Sequence, residues 1–133
     1  MHIKAITPTR LAVDLECRLA VLPTDEGEVG IEEDHAHMMV TLVPGQMRIY
    51  EGGQPHIYAV SGGVADIHPR KLLVLADAVE AASEIDLERA RRAKERAENR
   101  LEQRSEGMDV DRAQAALSRA INRIRIATGR QEK

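Results

Sequence analysis

The stretch from Ile85 to Ile126 contains no proline, and its apolar residues recur at helical spacing twice. Leu87, Ala90, Ala93, Ala97 and Leu101 stand three or four positions apart, as do Val110, Ala113, Leu117, Ala120, Ile124 and Ala127. Each set lines one face of a helix. Ser105-Glu106-Gly107 separates them, and Gly can leave the first helix in a left-handed conformation there. Helices joined by so short a loop run antiparallel. The chain therefore ends in a helical hairpin, and what precedes it must fold by other rules.

Both helices open on one pattern, apolar-Asp-apolar-x-Arg-Ala: Ile85 to Ala90 and Met108 to Ala113. Asp is a good N-cap because its carboxylate accepts from free amides of the first turn, and it suits the positive end of the helix dipole. The preceding apolar residue can staple onto the first turns. Capping alone accounts for both Asp residues.

Before the hairpin, short apolar runs alternate with turn chemistry. Strands are expected at 2–7, 17–22, 29–31, 38–43, 46–50, 56–61, 64–68 and 71–76. Pro8, Pro23, Pro44-Gly45, Glu51-Gly52-Gly53-Gln54, Gly62-Gly63 and Pro69-Arg70 mark turns between them. Strands so closely and regularly spaced argue for an antiparallel β-sandwich rather than parallel β/α units. The expected architecture has two domains: a β-sandwich over residues 1–84 and an antiparallel α-helical hairpin over residues 85–133. Two Ala-lined helices bury little area alone, so the hairpin is expected to pack on the sandwich in at least one state.

The 133 residues include no Trp or Phe, so the core must be built from Val, Ile, Leu, Met and Ala. With only Tyr50 and Tyr58 as aromatic platforms, base stacking on single-stranded nucleic acid is not expected. The lone Cys17 has no disulfide or zinc partner and fits a reducing compartment. No apolar run approaches a membrane span, and no signal peptide is visible. Charge is split between the halves. Residues 1–84 hold 6 Lys/Arg against 13 Asp/Glu, a balance of −7, while residues 85–133 hold 13 against 9, a balance of +4. Arg112, Arg119, Arg123 and Arg125 have no acidic residue among them and suit an anionic partner.

No nucleophile–base pair and no P-loop spacing is present, so no catalytic residue is expected. On a strand His35 and His37 would share a side and could share a metal, but a third ligand is not evident and no metal site is expected. The arginines are more suggestive. Arg89 and Arg96 share a face of the first helix, and Arg119 and Arg123 share a face of the second. The hairpin geometry lets Arg89 converge with Arg119 and Arg123 at one end. With Asp86 and Glu80 nearby, such a cluster could hold a polyphosphate while the carboxylates take donors from a base or sugar.

These residues resemble the epsilon subunit of bacterial F-type ATP synthases. Gly27-Glu28-Val29-Gly30-Ile31 followed by His35-Ala36 is similar to that family's Gly-x-x-Gly-Ile/Val segment leading to His-Ala-Pro. Tyr58 to Gly63, Leu73 to Glu80 and Ile85 to Ala90 resemble its strand end, its Ala-Asp-x-Ala-Glu run and its Ile/Leu-Asp-x-x-Arg-Ala motif. The resemblance implies a non-catalytic rotor subunit that links the gamma subunit to the c-ring. It would be peripheral at the cytoplasmic face of the membrane, without inserting into it. It also implies a mobile hairpin that folds onto the sandwich or extends toward the catalytic subunits and restrains ATP hydrolysis. No cofactor is required, but ATP is implied as a regulatory ligand at Glu80, Ile85, Asp86, Arg89, Ala90, Arg96, Arg119 and Arg123. Partner contacts are expected at Glu32, Glu33, Asp34 and His35 on the sandwich, and at Arg112 and Arg125 on the hairpin. The family's prolines flanking this His-Ala are replaced here by Glu33 and His37. The competing reading is a free-standing interaction module with neither nucleotide nor rotor role.

Overall fold

The computed structural model describes residues 1–103, 107 and 109–129. Eight strands precede the hairpin: β1 (His2–Ile6), β2 (Leu11–Glu16), β3 (Leu19–Thr24), β4 (Gly27–Glu32), β5 (Met38–Leu42), β6 (Gly45–Tyr50), β7 (His56–Ile67) and β8 (Lys71–Ala81). A single 3-10 turn, Ala82–Glu84, leads to α1 (Leu87–Gln103) and α2 (Val110–Thr128). The chain divides into two compact units, Met1–Ala82 and Ser83–Lys133.

In the first unit the path through the sheet is β2-β1-β8-β7-β5-β3-β4, with β6 bridging β3 and β7. The expected sandwich of short antiparallel strands is present, with one addition. β1 pairs with β8 in parallel, His2 against Lys71 through Ile6 against Leu75. The intervening chain builds the other strands, which gives the long connection a parallel pair needs. β2 was not anticipated from the sequence. It pairs antiparallel with β1, and only Val13 on it is buried, so its alternation is faint.

β7 is one long strand where two were expected, since Gly62-Gly63 lies inside it. Its first half pairs with β6, Gly45 against Val60, and its second half with β5, Leu42 against Gly63. β8 accompanies it throughout and continues five residues past its expected end at Ala76. The buried positions change phase at this place. Ala59 and Val60 are both buried on one side of the glycines and Ala65 and Ile67 on the other, while β8 shifts from Leu72, Val74 and Ala76 to Val79. Side chains alternate strictly along a straight strand, so this phase change marks a bend in the paired strands. Gly63, at φ +152°, is what the bend requires, because a Cβ there would stand 2.1 Å from the Leu75 carbonyl oxygen.

The core is aliphatic, as the composition demands. Ile3, Leu22, Ile31, Met47, Ile49, Val60, Ile67, Leu72, Val74 and Val79 are its largest fully buried side chains. On β3 it is Ala20 and Leu22 that point inward.

In the second unit α1 and α2 pack as the expected hairpin, with Ala90 and Ala97 buried on α1 and Ala113, Ala120, Ile124 and Ile126 on α2. Both expected caps form. Asp86 Oδ1 accepts from the Arg89 amide at 3.1 Å, and Asp109 Oδ1 accepts from the Arg112 amide at 3.0 Å. Gly129, left-handed at φ 69°, ends α2. Ser105, Glu106 and Met108 lie outside the described residues. Gly107 has the positive φ expected at the break, +84°.

Candidate functional site

The nucleotide residues read from the sequence fall as follows. Arg89 sits in the first turn of α1 and Arg96 two turns later, both exposed. Arg119 is exposed on α2, while Arg123 and Arg125 are half-buried. Counting back from the loop, Arg89 is about as far along α1 as Arg123 is along α2, so a hairpin places them at one level. Ile85 is half-buried, and Ala90 is fully buried, with its amide donating to the Asp86 carbonyl. One Asp86 carboxylate oxygen is committed to capping α1. Glu80 lies half-buried near the end of β8, in the other unit. A hollow of about 450 Å³ on the hairpin is lined by Arg100, Gly107, Asp109, Arg112 and Ala113, at the loop end rather than among the nucleotide residues. On α1, Glu88 meets Arg91 at i,i+3 with 3.8 Å between charged atoms, a contact of little energy on an exposed face.

The acidic loop after β4 presents Glu32, Glu33 and Asp34 to solvent, with His35 half-buried. Asp34 stands at φ 66°, and its amide donates to the Pro69 carbonyl at 2.6 Å, which ties this loop to the β7–β8 turn. Met38 and Met39 follow at the start of β5 and are exposed, Met39 to 64%. Exposed charge beside exposed methionine is the composition of a contact surface rather than of a catalytic pocket.

Four of the five histidines are hydrogen-bonded to carboxylates. His2 Nδ1 meets Glu16 at 2.7 Å and its Nε2 meets Asp14, and His56 Nε2 meets Glu51 at 2.8 Å. The Glu16 bond, then that of Asp14, raises the His2 pKa above its ordinary 6.5, and His2 in turn lowers that of Glu16. His35 and His37 do not act as a pair. His35 Nδ1 faces the Ala36 carbonyl oxygen at 2.8 Å, whereas His37 Nε2 meets Asp66 Oδ1 at 3.0 Å. His68 Nε2 takes the other Asp66 oxygen at 2.9 Å, and the two imidazoles stack with centroids 4.2 Å apart. These bonds, that of His68 first, hold the Asp66 carboxyl below its ordinary range. Sequence reasoning passed over Asp66 and His68. Their i,i+2 spacing was a signal, but their register against His37 is a property of the sheet.

A bent β-sandwich followed by a capped, arginine-rich helical hairpin defines the class of fold. Residues 1–82 match the family described as ATP synthase, Delta/Epsilon chain, beta-sandwich domain, and residues 83–128 match its long alpha-helix domain. The chain belongs to the ATP synthase Delta/Epsilon chain family and is a non-catalytic member of it. It is 42% identical over 122 residues to the ATP synthase epsilon chain of Desulforamulus reducens, a match covering 92% of each chain. It is 39% identical to that of Halalkalibacterium halodurans, with 96% of each covered, and 40% identical to that of Nitratidesulfovibrio vulgaris, with 95% and 94% covered. Among solved structures, a chain of the Euglena gracilis mitochondrial ATP synthase shares the fold at TM-score 0.76 and 24% identity, covering 89% of this chain and 75% of that one. A chain of the Tetrahymena thermophila mitochondrial ATP synthase central stalk and c-ring does so at TM-score 0.57 and 14% identity, with 96% and 93% covered.

Proposed function

We propose that this chain is a central-stalk subunit of a proton-translocating ATP synthase, joining the gamma subunit to the c-ring at the cytoplasmic face of the membrane, with a hairpin that regulates ATP hydrolysis. The observation that carries the reading is the family match across both units, sandwich and hairpin together. It also favours this reading over a free-standing module. No described helix is long and apolar enough to cross a membrane, in keeping with a peripheral place.

The sandwich is the anchor. Its exposed Glu32, Glu33 and Asp34, with His35, suit a basic surface on gamma or the ring. The hairpin is the switch. Arg112 is exposed and Arg125 half-buried, with no acidic residue between them along α2, and in an extended state this basic stretch meets an anionic partner on the catalytic subunits. ATP is the ligand of the folded-down state, held by Arg89, Arg96, Arg119 and Arg123 with Glu80, Ile85, Asp86 and Ala90. A ligand that binds one state alone stabilises it by about 2.7 kcal/mol at a hundredfold excess over Kd, enough to tip a balanced equilibrium.

The test is ATP hydrolysis by complex reconstituted with the full chain or with a chain ending at Glu84, at matched assembly. The shortened chain should raise hydrolysis at low ATP and leave proton-driven synthesis intact. Equal rates at every ATP concentration would make the hairpin a structural appendage.

A further inference from the structure

The register of β5 against β7 pairs Met38 with Ile67 and Met39 with Asp66. One step further out, the same register sets His37 opposite His68. Asp66 and His68 are two apart and so share a face of β7 with His37 across the ladder. Three residues with metal-ligating side chains thus converge at one end of the β5–β7 ladder. One ligand atom from each lies within 4.8 Å of the other two.

We propose that His37, Asp66 and His68 form a binding site for a divalent late transition metal of the zinc class, with water completing the coordination. Two imidazoles and one carboxylate are the donor set such ions take, and Nε2 of a neutral imidazole is a common ligand atom. Bonds of roughly 2.0–2.2 Å in a tetrahedron put neighbouring ligand atoms about 3.4 Å apart. His37 Nε2 stands 3.0 Å from Asp66 Oδ1 and His68 Nε2 stands 2.9 Å from Asp66 Oδ2, so an ion bound through one of these oxygens would enter by rearrangement of the three side chains. The stacked rings, 18° from parallel, present their Nε2 atoms to the same carboxylate. The His37 side chain is 61% exposed and Asp66 and His68 are each about half as exposed, which leaves a path for the ion and its water.

The surroundings set limits on affinity. Lys4 and Lys71 line a hollow of about 410 Å³ together with His2, Asp66 and His68, and their charge opposes a cation. The site should therefore bind more weakly than a thiolate-based structural zinc centre. Its mechanical effect is local. His37 ends the acidic loop, Asp66 lies near the end of β7 and His68 just past it, so a bound ion would clamp that loop to the sheet beside the existing Asp34–Pro69 bond.

The experiment uses the full chain without a histidine tag, stripped of metal and titrated with Zn2+ alone. One Zn2+ per chain is expected. Removing an outer-shell partner costs a metal site about 10–100-fold in affinity, so His37→Gln, Asp66→Asn and His68→Gln should each weaken binding by at least tenfold. His2→Gln and His56→Gln should leave it unchanged. Co2+ in place of Zn2+ should give the intense visible bands of a four-coordinate ion, lost in His68→Gln. Ring-nitrogen NMR signals of His37 and His68 in the unmutated chain should move together on adding Zn2+, a readout that needs no variant to fold. Absence of saturable binding, movement of other histidines instead, or loss of binding in His2→Gln with retention in His68→Gln would overturn the proposal.

Discussion

Gly63 and Gly53 both occupy backbone conformations that L side chains rarely adopt, yet they should respond differently to substitution. At Gly53, φ +82°, a Cβ would meet nothing within 4 Å, so Gly53→Ala should cost about 1–2 kcal/mol from the backbone alone. At Gly63 the same change adds a collision with the Leu75 carbonyl oxygen and the Ala76 Cα, and the cost should reach about 2–4 kcal/mol. Urea unfolding midpoints of the two variants check the order. His2 gives a second residue-scale prediction. Its hydrogen bonds to Glu16 and Asp14 raise its pKa above 6.5, so the charged form is favoured in the folded chain. Their small contribution to stability is complete below about pH 6.5 and fades as pH rises through the raised midpoint. The His2 ring signals should titrate above 6.5, and Glu16→Gln should move that midpoint down. A midpoint unchanged by Glu16→Gln would mean that the bond is absent in solution.

Among elements, the division of apolar burial between the units decides what can fold by itself. The large buried cluster draws all its members from residues 1–79. The hairpin buries mainly alanine, joined by Ile124 and Ile126. A chain ending at Glu84 should therefore remain soluble and unfold in one cooperative β-type transition. An isolated peptide of residues 83–133 should show only marginal helix by circular dichroism, because capping and alanine propensity do not replace a packed face. Loss of cooperativity in the shortened chain would mean that the hairpin completes the sandwich core. Each Asp cap adds about 1 kcal/mol to its helix, so Asp109→Ala should fray the start of α2 without changing β7 or β8.

For the whole molecule, the proposed coupling of hairpin to nucleotide is open to direct measurement. Arg89 and Arg119 are the informative positions, since both are exposed. Arg123 is half-buried, so replacing it would disturb packing as well as any phosphate contact. Arg119→Ala should weaken ATP binding by about 1–3 kcal/mol if it makes a charge-assisted contact. It should change the unfolding midpoint little, because substitutions at exposed positions lie mostly within about 0.5 kcal/mol. Calorimetric titration of the full chain with ATP checks both parts. No heat at millimolar ATP would reduce the paired Asp-x-x-Arg-Ala segments to two helix caps.

Local rules were enough to read the hairpin from the sequence. Helical spacing, two Asp caps and a glycine break act over a few residues, and each is present as read. Most strands were legible for the same reason, as was an aliphatic core in a chain without Phe or Trp. Other features were settled by tertiary structure. Gly62-Gly63 has the composition of a turn, yet pairing with β5, β6 and β8 carries one strand through it with a bend. β2 has a single buried residue, so only its pairing with β1 identifies it. His37 is separated by twenty-nine positions from Asp66, which it touches at 3.0 Å. No periodicity within one segment encodes that contact. It depends on the register between two strands, which the packing of the whole sandwich sets.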